Sequence, residues 1–283
     1  MSMNQPMPSP PPSDPAPRVR ASGPTWGREA LLARFPWLGY VLPLVVFLAL
    51  TSFEPTPPEG AGPGAAKQTA ESSGWFGLSI SYSAYPNVYT TKIALTIAAI
   101  VFVLPVYRQF PWRVSPLAFV AGAVGVVMWI GLCHLGIERR VLPAIGLGSV
   151  LGSGQRSAFN PLVELAGQPV WAYGFLAVRF VGLALVVPVI EEFFLRGFLM
   201  RLCVHENWWG VPFGTVNLLA VVVGTAVPMA MHPAELVAAL VWFTMITGLM
   251  VTTRYIWDCV AAHATTNLLL GIYVVVWNQW QLL

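Results

Sequence analysis

Val187-Pro188-Val189-Ile190-Glu191-Glu192-Phe193-Phe194-Leu195-Arg196 sets two adjacent carboxylates and an arginine inside an apolar run that extends from about 171 to 203. Charged groups within a bilayer span cost roughly 2.5–3.5 kcal/mol each on insertion scales and are functional candidates by default. Glu192 and Arg196 stand four residues apart, so on a helix they share a face and pair. Glu191 points about 100° away from Glu192 and cannot share that partner comfortably. The pattern predicts a division of duties, with one carboxylate neutralised and structural and the other open to act on a bound water. The plainer alternative is that both glutamates cap the cytoplasmic end of a span.

The rest of the chain fixes the solvent around that helix. Of 283 residues, 56% are hydrophobic and 10% charged, with a mean hydropathy of +0.67. A soluble domain carries about 25% charged residues, so this chain lacks the polar surface to face water on all sides. Further apolar runs lie at about 36–53, 91–107, 116–135, 212–232, 235–253 and 257–278, approaching the roughly 20 residues that cross a bilayer as a helix. The expected fold class is therefore all-α: a polytopic membrane helical bundle of about seven to eight transmembrane helices. The lipid bilayer is its surroundings, and a net charge of +3 gives no reason to expect nucleic acid as a partner.

Composition shifts divide the chain into three parts. Residues 1–35 read as a disordered Pro-rich cytoplasmic tail, with eight prolines in the first 26 positions. Residues 36–170 hold N-terminal transmembrane helices with polar loops, at 54–90 and at 136–170; the second of these, with its Gly/Ser run around Gly146–Gly154, has room for a short interfacial helix. Residues 171–283 hold the candidate catalytic core. Seven spans with an internal N-terminus place nine basic residues on the cytoplasmic side (Arg18, Arg20, Arg28, Arg34, Arg108, Arg113, Arg196, Arg201 and Arg254) against five outside (Lys67, Lys92, Arg139, Arg140 and Arg156), as the positive-inside bias requires. Cys133, Cys203 and Cys259 sit in or beside apolar segments without CxxC spacing and read as small hydrophobes.

Four histidines complete the set of candidates. His134 and His205 sit at a span end and in an amphipathic stretch, where bland roles are the better reading. His232 follows Pro228-Met229-Ala230-Met231 and precedes Pro233, where prolines break a helix and free backbone groups near a cavity. His263 and Asn267 are four apart on the last helix, two polar side chains on one face of an apolar run. A buried glutamate aided by a histidine takes a proton from water, while a second histidine and an amide donate hydrogen bonds to the oxyanion formed on an attacked carbonyl. The same Glu191, His232 and His263 also make a two-His, one-Glu zinc set with water in the fourth position. Both schemes hydrolyse a peptide bond, and the residues alone do not choose between them.

EExxxR on one helix, a histidine at the end of the next span and HxxxN on the last resemble the CPBP family (CAAX protease and bacteriocin-processing, or Abi). The likeness covers about residues 171–278, and Pro228 stands where the family's second motif has phenylalanine. The resemblance implies an intramembrane endopeptidase of the CAAX-protease type acting on a membrane-associated protein or peptide. Carried over by position, Glu191 and His232 activate water, His263 and Asn267 hold the oxyanion, and Glu192 and Arg196 support the first motif. The wording VPVIEEFFLRGFLMR, MHPAEL and AHATTNLLLGIYVV is similar to the bacterial subgroup associated with exosortase and PEP-CTERM surface-protein sorting, which implies a bacterial inner membrane. A non-enzymatic Abi-like immunity or scaffold protein is one alternative. An ion-coupled transporter using Arg179, Glu191, Glu192 and Asp258 is the other.

The catalytic reading carries a geometric demand. Simple topology puts Glu191 near the inner end of its span and His232 near the outer end of the next. They meet at one depth if the long 171–203 helix slides through the bilayer and the prolines stop the helix of His232 within it.

Overall fold

A computed structural model describes residues 27–55, 57, 71–73, 79–144 and 158–282. Helices α1 (Arg28–Arg34) and α2 (Leu38–Thr51) are bent by 102° at the short break between them. The Pro-rich tail expected to reach residue 35 therefore gives way at Arg28; Glu29 in the first turn and Arg34 in the last complement the helix dipole, and Leu32 is buried. Residues 1–26 lie outside the described residues. Strands β1 (Glu71–Ser73) and β2 (Ser79–Ser81) pair antiparallel, with Ser72 opposite Ile80. They lead through a short 3₁₀ turn into α3 (Tyr85–Tyr107), which has a proline in its first turn where no N–H is needed.

Helix α4 (Pro116–Leu135) likewise starts on a proline and ends at Gly136, whose φ of 56° supplies the left-handed cap. The polar connection that follows contains the short helix expected there, α5 (Ile137–Ala144), and then α6 (Pro161–Glu164); the Gly146–Gly154 run is outside the described residues. Helix α7 (Pro169–Val204) is one 36-residue helix. It is followed by α8 (Leu218–Met231), α9 (Leu236–Thr253) and α10 (Ile256–Trp277). All seven apolar runs read from the sequence are helical. By length and hydropathy, five described helices can cross a membrane, or six if α1 and α2 count as one broken span, and α8 is a shorter apolar helix of 14 residues. The chain is an integral membrane helical bundle.

The core is built where α4, α7, α8, α9 and α10 meet. With lipid outside, close backbone approach replaces the hydrophobic drive. A Cβ at Gly122 of α4 would lie 2.6 Å from the Ala262 carbonyl of α10, so only glycine allows the two helices to come this near. Thr266 of α10 exploits that approach by donating to the Gly122 carbonyl at 2.9 Å. On the other side of α7, Phe193 stacks on Tyr107 of α3 with centroids 3.8 Å apart and meets Tyr40 of α2.

Two charged residues of the spans are buried against close partners. Lys92, counted with the outside loops, is buried within α3, ion-paired with Glu54 and set over the rings of Phe47 and Tyr89 at 4.2 and 4.6 Å. Asp258 is fully buried, where its carboxylate accepts from the Ser115 N–H at 2.6 Å and hydroxyl at 2.8 Å, tying the start of α10 to the start of α4.

Candidate active site

The centre of α7 is not a regular α-helix. Turns of π-helix cover Gly182–Val186 and Phe193–Leu199, on either side of the α-helical turn Val187–Glu192. Single π turns inside an α-helix recur at functional sites because they shift side chains around the axis and loosen backbone pairing. Here the Leu183 carbonyl, within the first π turn, accepts from Asn267 Nδ2 at 2.9 Å. The irregular backbone of α7 thus holds the amide of α10 in place.

The two glutamates have separate environments. Glu192 is fully buried; one carboxylate oxygen pairs with the Arg196 guanidinium and the other lies 3.0 Å from His263 Nδ1. Arg196, itself fully buried, also donates to the Phe243 carbonyl of α9 at 3.3 Å. Buried charge is tolerated only when paired and hydrogen-bonded, and this triad supplies both. Glu191 lines a cavity of about 570 Å³. Among the described residues it has no hydrogen-bond or ion-pair partner.

The same cavity is lined by His232, His263 and Asn267, so the four residues singled out from sequence reach one space. Helix α8 ends at Met231, and His232 occupies its C-cap with φ −123°. Both prolines act as expected: Pro228 lies within the last turn, and Pro233 follows the histidine. His232 Nδ1 lies 2.8 Å from the Pro228 carbonyl. A carbonyl only accepts, so Nδ1 carries the proton of that contact. The same reasoning gives His263 an Nδ1–H directed at Glu192, leaving Nε2 as its second polar atom.

Residues that the sequence did not mark build the walls. Phe243 of α9 lies between the two imidazoles, with centroids 5.7 Å from His232 and 6.3 Å from His263. Trp242 packs 4.6 Å from His263 and donates its indole N–H to Thr266 at 3.1 Å, and Trp129 of α4 meets His232 edge-on at 5.5 Å. Glu138 of α5 accepts from the Val237 N–H at 2.7 Å, capping α9 just after the His232 turn. In sequence these are ordinary apolar or interfacial residues, and no spacing signals their role. Arg179 also lines the cavity.

Other candidates stand apart. His134 meets the Tyr273 hydroxyl at 2.9 Å, and His205 Nδ1 accepts from the Asn207 N–H at 3.0 Å, each on the exposed surface. Of the four ionic groups of the transport reading, Arg179 and Glu191 reach the cavity, Glu192 is held in its triad, and Asp258 is bound to Ser115. No group of three His, Cys, Asp or Glu side chains among the described residues is arranged to hold a metal ion.

Residues 173–269 match the family described as Rce1-like, type II CAAX prenyl endopeptidase. That span contains Glu191, Glu192, Arg196, His232, His263 and Asn267, in agreement with the CAAX-protease resemblance read from the motifs. Neither a curated protein nor a solved structure matches the chain.

Proposed function

With residues 173–269 taken as a core of the CAAX-protease family, we propose that this chain is an intramembrane endopeptidase that cuts a peptide bond of a membrane-associated protein, with water activated by Glu191 and His232. The observation that carries the reading is the unlike treatment of two neighbouring carboxylates. Glu192 is locked between Arg196 and His263, whereas Glu191 faces the cavity without a partner among the described residues.

A water in the cavity gives its proton to Glu191, assisted by His232. Its oxygen attacks the scissile carbonyl. The second N–H of the Asn267 amide and the His263 ring donate to the resulting oxyanion. Glu191 returns its proton to the departing nitrogen as the C–N bond breaks. Glu192 touches no reacting atom in this scheme; it fixes the orientation of His263. The likeness of the motif wording to the exosortase-associated bacterial subgroup supports a bacterial inner-membrane location, a cytoplasmic N-terminus and a surface-protein substrate.

The test is cleavage of a membrane-inserted peptide by the full chain reconstituted in lipid, comparing wild type with Glu191→Gln, His232→Ala and His263→Ala. Each variant is expected to lose about 10²-fold or more in kcat, with or without chelator. Equal cleavage by wild type and Glu191→Gln overturns the proposal. Loss of wild-type cleavage on chelation replaces the metal-free scheme with a zinc one.

A further inference from the structure

Arg179 is the one arginine or lysine of the cavity wall among the described residues, and the hydrolytic scheme gives it no task. It sits in α7 three turns before Glu191, and it is 6% exposed. Nη1 donates to the Phe159 carbonyl at 2.6 Å. The guanidinium lies 5.9 Å from the ring centroid of Tyr85 and 5.8 Å from that of Trp280, one aromatic from α3 and one from the chain's last turn. Nε and Nη2 donate to no atom among the described residues, and no carboxylate there pairs with the group.

Such a cation is costly where it stands. A buried charge needs a counter-charge or a full set of hydrogen bonds, and the aromatic faces offset only part of that need. The acidic groups that share the cavity do not serve: Glu54 is held by Lys92, and neither Glu191 nor Glu235 forms an ion pair with Arg179. The edge formed by Nε and Nη2 has the spacing of a carboxylate's two oxygens, the fork-to-fork match that makes arginine the usual carboxylate reader.

Resting on the endopeptidase reading, we propose that Arg179 forms an anion subsite of the same cavity and binds a carboxylate of the peptide substrate, an acidic side chain or the free C-terminus. The subsite also sets where the chain is cut. Arg179 precedes Glu191 by 12 residues, about 18 Å along a helix rising 1.5 Å per residue. An extended peptide covers that distance in about five residues. The scissile bond therefore lies about five residues from the bound carboxylate. A phospholipid phosphate is the competing anion, and the experiment separates the two.

The probe is a set of membrane-inserting fluorogenic peptides, each with a single aspartate moved along the sequence, made with a free or an amidated C-terminus. Wild type in zwitterionic nanodiscs is expected to show a KM about tenfold lower for peptides carrying a correctly placed carboxylate, with cuts that move with it by mass spectrometry. Arg179→Gln is expected to erase the preference by raising KM for the carboxylate peptides to that for the neutral ones; Arg179→Lys is expected to restore charge preference without the fixed spacing. Binding of the same peptides to Glu191→Gln gives the preference independently of turnover, so a chain that binds by charge yet cuts nothing sinks the endopeptidase reading alone. Equal KM for charged and neutral peptides in wild type overturns the subsite. So does Arg179-dependent binding of anionic phospholipid by a wild type that shows no carboxylate preference, because the phosphate is then the occupant.

Discussion

Oε1 of Glu192 lies 3.0 Å from Nδ1 of His263, across 71 residues of sequence and between two different helices. This contact joins the first and last motifs into one unit, and it gives the neighbouring glutamates opposite experimental signatures.

Glu192→Ala leaves Arg196 buried without its carboxylate. Removing one partner of a buried ion pair costs about 3–5 kcal/mol, so thermal unfolding in nanodiscs is expected to shift down sharply. Glu191→Gln is expected to melt within a few degrees of wild type while cleavage falls about 10²–10⁴-fold. The opposite ranking of the two melting temperatures refutes the division of duties.

Asn267→Ala removes both the donor to the proposed oxyanion and the bond to the Leu183 carbonyl. Loss of one oxyanion donor lowers kcat by about 10²–10³ with little change in KM. A variant whose KM rises while kcat holds shows that the amide binds substrate instead.

Gly122→Leu drives a side chain into the Ala262 backbone, where even a Cβ would be 2.6 Å from the carbonyl oxygen. Overpacking of this kind costs about 1–3 kcal/mol and separates α4 from α10. Cysteine cross-linking between those helices is expected to slow, and unimpaired cross-linking contradicts the close approach.

Glu138→Ala removes the cap on α9 at a cost of about 0.5–2 kcal/mol. The residues between His232 and Leu236 lose their anchor, so proteolysis of that turn is expected to quicken and kcat to fall with it. Unchanged proteolysis assigns Glu138 no part in holding the turn.

The sequence made the local half of this site legible. Glu192–Arg196 and His263–Asn267 are spaced by one helical turn, so their shared faces follow from helix geometry alone. Pro228 and Pro233 likewise announced where α8 stops, and the length of the apolar run around Glu191 foretold a helix longer than the bilayer. The long-range half was hidden. Which way α7 and α10 turn toward each other depends on close contacts such as Gly271 of α10 against Phe180 and Leu183 of α7 and on π turns, and the residues Gly182-Leu183-Ala184-Leu185-Val186 carry no mark of a π turn. The Lys92–Glu54 pair was hidden for a related reason: the two are far enough apart in sequence that no helical spacing connects them. Trp242 and Phe243 were invisible as site residues because an aromatic beside a histidine reads like any other apolar side chain.

Helix α8 has 14 residues, which is about 21 Å of rise set in a membrane whose hydrocarbon layer is about 30 Å thick. Lipid beside so short a helix would have to compress or let water dip inward. For the proposed hydrolysis, such a dent beside α8 would give water a route to the cavity. Acyl chains long enough to resist that thinning should slow the enzyme, and shorter ones should quicken it.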